Sequence, residues 1–247
     1  MTDEQPIVAA PPTEPERLPF WGYADVALMM GLALPCMFLG WGLVWLGMGV
    51  TNLHPASAVK AVAAMLFGYG LLFTALMVIF RVQYDRPLWR SLGWTWTGVP
   101  IFGCVVYGCA TTMLVGVVAK LIHTPPSAGP LMDMMKDRTA LIVMAIFGST
   151  AAPLFEELAF RGFLQPLLVR NLGAIAGVLL SAALFGGLHY SEYGESWRSA
   201  LLIAVAGVAF GCMRQWTGST AAAALMHASF NGLQFVALLL APKDVLQ

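Results

Sequence analysis

Three stretches of this 247-residue chain place ionisable or hydrogen-bonding side chains where apolar ones are expected. The first is Glu156-Glu157-Leu158-Ala159-Phe160-Arg161, set between Phe155 and Gly162-Phe163-Leu164. The second is Phe185-Gly186-Gly187-Leu188-His189, and the third is His227-Ala228-Ser229-Phe230-Asn231. Insertion scales put an Arg or Asp at the centre of a membrane helix at about 2.5–3.5 kcal/mol, so such residues are usually functional. Neighbours on a helix point ~100° apart, so Glu156 and Glu157 cannot share a direction. Glu157 and Arg161 are four apart, share a face and can neutralise each other. Glu156 is then available for chemistry. Amide hydrolysis needs an activated nucleophile and a stabilised oxyanion, which a carboxylate base and His or Asn donors can supply. Ser229 lies between His227 and Asn231, but on a helix its hydroxyl points away from both, so direct attack by water is the simpler chemistry. The bland alternatives are a structural ion-pair cluster for the first motif and interhelical hydrogen bonding for the histidines.

The elements that must position these groups are membrane helices. The chain is 59% hydrophobic and 11% charged, against about 25% charged in soluble domains, and its mean hydropathy is +0.75. Apolar runs cover 22–48, 58–80, 100–122, 139–169, 173–190, 198–213 and 219–241. A span needs about 20 residues, which predicts an all-α, polytopic helical bundle of about seven spans. The 198–213 run is short for a span. The 139–169 run is too long for one, and Ala152-Pro153 is placed to kink or restart it. Residues 1–19, rich in proline and charge, read as a disordered tail without the pattern of a cleaved signal peptide. Residues 20–247 read as one membrane domain.

Charge and the remaining reactive residues restrict the reading further. Thirteen basic residues balance thirteen acidic ones, so nothing points to nucleic acid. Cys36, Cys104, Cys109 and Cys212 lie in apolar runs without a CxxC pair and read as packing residues. His54 and His123 stand beside prolines at span ends and read as loop residues. Arg81, Arg86 and Arg90, with Trp89, Trp94 and Trp96 nearby, fit a segment lying on the headgroups. Basic residues divide six against six between the two sides, with the three-arginine loop favouring a cytoplasmic N-terminus.

Depth brings the three motifs together. Arg170-Asn171-Leu172-Gly173 reads as a tight turn. Counting back from it along a helix, Glu156 and Glu157 lie ~20 Å away; counting forward, His189 lies ~24 Å away. From the Arg214–Gly218 turn on the same side, His227 lies ~13 Å and Asn231 ~20 Å away. All can occupy a similar level of the bilayer.

EExxxR at 156–161, FxxxH at 185–189 and HxxxN at 227–231, in that order, resemble the CAAX protease and bacteriocin-processing (CPBP or ABI) family of intramembrane glutamic endopeptidases. The likeness covers about residues 139–240. It implies Glu156 as the general base that activates water, with His189 helping to hold and polarise it. It implies Glu157 paired with Arg161 to fix the geometry, and His227 and Asn231 as donors to the oxyanion. Phe185 would pack on the face of His189. The implied enzyme is an endopeptidase of a bacterial inner membrane that needs no cofactor and cuts a lipidated or membrane-anchored protein or peptide. Two other readings stand beside it. Glu156, His189 and His227 suit zinc by type, yet they come from separate helices with no HExxH. A non-catalytic scaffold or immunity protein could use the same cluster to bind a partner. No inverted repeat points to a transporter.

Overall fold

The computed structural model describes residues 19–96, 98–125 and 129–241. The expected tail, apart from Pro19, lies outside the described residues. Among them every regular element is helical, so the protein is an all-α bundle. The order is α1 (Tyr23–Thr51), α2 (Ser57–Tyr84), the single turn α3 (Leu88–Ser91) and α4 (Ile101–Leu121). Then come α5 (Pro130–Met135), α6 (Arg138–Gly148) and α7 (Ala151–Glu157). The chain continues from α7 through a π-helical segment, Leu158–Leu164, into α8 (Gln165–Leu172). The series ends with α9 (Ala174–Leu188), α10 (Trp197–Thr217) and α11 (Thr220–Leu240).

Helices α1, α2, α4, α10 and α11 are long and apolar enough to cross a membrane. Their outer faces are apolar too, with Phe38, Trp45, Phe102 and Ile175 of α9 among the exposed side chains. The protein is an integral membrane protein. The over-long run is a broken span: α6 and the stretch Ala151–Leu172 meet at 40°. The break falls at Ser149–Thr150, and Pro153 sits in the first turn of the restarted helix, where its missing N–H costs no hydrogen bond. Helix α9 has 15 residues, ~22 Å of rise against a hydrocarbon core of about 30 Å. It stops early, and its C-cap is His189.

Small residues let these helices approach closely, as bilayer packing requires. A Cβ added at Gly186 of α9 would stand 2.3 Å from the Ala200 carbonyl oxygen of α10, and one at Gly108 of α4 would stand 2.4 Å from that of Met226 in α11. Buried aromatic side chains fill the remaining space on two sides. Trp21, Phe80 and Phe163 belong to one cluster and Phe210 and Phe230 to the other.

The arginine–tryptophan segment also packs onto the helical bundle. Leu88 and Leu92 are buried, and the carbonyls of Leu92 and Gly93 accept from the Thr220 hydroxyl (2.5 Å) and amide (2.9 Å). Ser219 donates to the Thr95 carbonyl. The loop after α3 thereby fixes the start of α11, the helix that carries His227.

Candidate active site

Glu157 is the last residue of α7, and both it and Arg161 are fully buried. The Arg161 guanidinium donates through Nη1 to Glu157 Oε1 at 3.0 Å and through Nη2 to the Gly207 carbonyl at 2.8 Å. It also lies over the Phe185 ring, 4.5 Å from its centroid. The four-residue pairing expected from the sequence is therefore present, although the backbone from Leu158 is wound as a π-helix. Such turns interrupt α-helices, frequently at functional sites. One turn on, Gln165 Nε2 donates to the Gly211 carbonyl at 3.0 Å. Arg161 and Gln165 thus make two rungs to α10, both reaching main-chain oxygens of glycines. A Cβ at Gly207 would sit 3.0 Å from Arg161 Nη2, and one at Gly211 would sit 2.8 Å from Gln165 Oε1.

The same Glu157 oxygen also meets His227 of α11, whose Nδ1 lies 2.9 Å away. That oxygen already accepts from the Arg161 guanidinium and acts as an acceptor here too, so Nδ1 carries the proton and donates. On the far side of the ring, Nε2 is 3.2 Å from Asn231 Nδ2 and 3.9 Å from Glu156 Oε2. Asn231 Nδ2 also donates to the Gly148 carbonyl at 2.7 Å, which orients the amide with its nitrogen toward both acceptors. That carbonyl closes α6 at the helix break. The His227 ring stacks on Phe210, with centroids 4.5 Å apart, and meets the Phe185 ring edge-on at 5.7 Å.

Glu156 differs from its neighbour. Its side chain is 22% exposed and that of Glu157 is fully buried. His189 is the outlying member. Its Nδ1–H donates to the Phe185 carbonyl at 2.8 Å, its ring packs on Phe185 at 4.8 Å, and its Nε2 faces Glu192 Oε2 at 3.9 Å. Phe185 touches both histidine rings. In the loop between α9 and α10, burial and then the charges of Glu192 and Glu156 push the Tyr193 phenol up to about 12, so it stays a donor at neutral pH.

Glu156, Glu157, Arg161, His227 and Asn231 are thus drawn into one knot with Phe185 at its side, and His189 stands at its edge. Several neighbours escaped the sequence reading: Gln165, Gly148, Phe210, Glu192, Tyr193 and Trp21. Trp21 Nε1 donates to the Phe163 carbonyl of the π segment at 3.0 Å, and the two rings stack 5.4 Å apart. Two signals were available. Gly207 and Gly211 form a small-xxx-small pair of the kind that marks close helix contact, and Glu192 lies three residues after His189. Among the described residues no three His, Cys, Asp or Glu side chains form a metal-binding group.

Residues 138–233 match the family model described as Rce1-like, type II CAAX prenyl endopeptidase. The chain carries a CAAX protease family domain. This CAAX protease domain starts at the first residue of α6 and encloses every residue of the knot. The matched family is one of membrane proteases that act on a protein substrate. No curated protein and no solved structure matches the chain.

Proposed function

We propose that this chain, with its CAAX protease family domain, is an intramembrane glutamic endopeptidase that hydrolyses a peptide bond of a lipidated or otherwise membrane-associated protein or peptide. The observation that supports it most is the inequality of the two glutamates. Glu157 is engaged by Arg161 and His227, while the more exposed Glu156 faces His227 Nε2 at 3.9 Å. Glu156 takes the proton of the attacking water. His189 holds and polarises that water. Glu157 and Arg161 fix the geometry, and His227 and Asn231 donate to the oxyanion. Phe185 sets the spacing of the two rings. The scissile bond is presented by a substrate anchored in the same bilayer, and the activity of the matched family makes a prenylated CAAX peptide the first probe. We place the protein in a bacterial inner membrane, as a helical bundle rather than the barrel typical of outer membranes.

The test uses the full chain in detergent with a farnesylated CAAX peptide and a set of other membrane-anchored peptides, with cleavage read by mass spectrometry. Wild type should cut at one bond, and Glu156→Gln should lose at least ~10²-fold in rate, the scale of a missing general base. Chelator should change nothing. Glu156→Gln protein that cuts at the wild-type rate would remove the glutamate mechanism, and loss of activity to chelator would favour a metal.

A further inference from the structure

Both hydrogens of the Asn231 amide are engaged in this structure, one by Gly148 O at 2.7 Å and one by His227 Nε2 at 3.2 Å. His227, with its proton on Nδ1 toward Glu157, has only a lone pair on Nε2. Neither side chain can therefore donate to an oxyanion as it stands. What would free both donors is a proton on Nε2. It would turn that nitrogen into a donor and displace the Asn231 N–H, while the buried Glu157 carboxylate at 2.9 Å would stabilise the resulting imidazolium. A proton source faces the ring, since Glu156 Oε2 stands 3.9 Å from Nε2. That is beyond a hydrogen bond but within reach of a side-chain rotation.

From this geometry we infer that His227 is the proton carrier of the reaction and that its protonation opens an oxyanion hole that is closed at rest. The inference rests on the protease reading and adds the route of the proton. Water loses one proton to the Glu156 carboxylate as its oxygen bonds to the carbonyl carbon. Glu156 passes that proton to His227 Nε2, so Asn231 turns its freed N–H to the oxyanion beside the new Nε2–H. As the intermediate collapses, the C–N bond breaks, its electron pair stays on nitrogen, and that nitrogen takes the proton from Nε2. The second hydrogen of the water remains on the product carboxyl group. Glu156 is again a carboxylate and His227 again neutral.

Two readouts on the full chain in detergent test it. The first needs no substrate. In protein labelled with ¹⁵N-histidine, which has four histidines, the signal absent from His227→Gln identifies His227. It should show a neutral ring protonated on Nδ1, and a resting ring protonated on Nε2 would overturn the inference. The second compares a farnesylated CAAX peptide with the p-nitrophenyl ester of the same acyl segment. An amide nitrogen must be protonated to leave, whereas nitrophenolate is not. His227→Gln keeps a side-chain donor but cannot carry a proton, so its loss on the peptide should exceed its loss on the ester by at least ~10-fold, the scale of general acid assistance. Equal losses, with wild type active and Glu156→Gln inactive, would overturn the inference and leave the protease reading standing. Wild type inactive on both would remove that reading and the inference with it.

Discussion

At the scale of single residues, two adjacent glutamates of one chemistry receive opposite environments. Glu157 is fully buried, so removing its counter-ion should be costly. Arg161→Ala should destabilise the protein by about 3–5 kcal/mol, the loss expected when one partner of a buried pair is deleted, measured by chemical denaturation in detergent. Arg161→Lys should recover only part of it, because a single ammonium cannot repeat the fork that reaches both Glu157 and the Gly207 carbonyl. Glu156→Gln should leave stability within about 1 kcal/mol, since Glu156 keeps partial exposure. An unfolding midpoint that fell as far as for Arg161→Ala would show a structural role for Glu156. This contrast was legible in the sequence, because a four-residue spacing fixes which glutamate meets the arginine. The Glu157–His227 contact was not. It joins residues 70 apart, and no local pattern states which side of a histidine a distant helix will meet.

At the scale of elements, the helices stood out as apolar runs and their details did not. The seven runs all became helices, and Pro153 marked the restart of the broken one. The π-helical segment Leu158–Leu164 left no mark, since its residues suit an ordinary helix equally well. The early stop of α9 was hidden too, because Leu188-His189-Tyr190 continues the apolar run. The Gly207–Gly211 pair governs how near α10 comes to the ion pair. Gly207→Val should destabilise by about 1–3 kcal/mol, the usual cost of overpacking, and should slow peptide cleavage as α10 moves away from Arg161. Thermal unfolding and initial rates on one preparation check both, and full activity with an unchanged midpoint would show that this contact has slack. Gly187, beside Gly186, has open space around it, so Gly187→Ala serves as the control.

At the scale of the whole molecule, composition was already decisive, since a chain with so few charges has no way to cover itself against water. The protein should stay with membranes through an alkaline carbonate wash and come off only in detergent, followed by immunoblotting. Release by carbonate would contradict a spanning bundle. Topology was less legible, because six basic residues against six leave no majority to read.

The order in which the knot is assembled follows from where its members lie along the chain. Glu157 and Arg161 emerge from the ribosome almost together and can enter the bilayer as a neutral pair. His227 follows 70 residues later, which at about 5–20 residues per second is a delay of ~4–14 s. During that interval the nascent chain holds the acid pair with neither the imidazole nor the amide of α11. On the proposed mechanism, a growing polypeptide would therefore be inert toward its own membrane neighbours until α11 has been inserted. A ribosome that stalled before that point would leave a fragment without the proposed oxyanion donors.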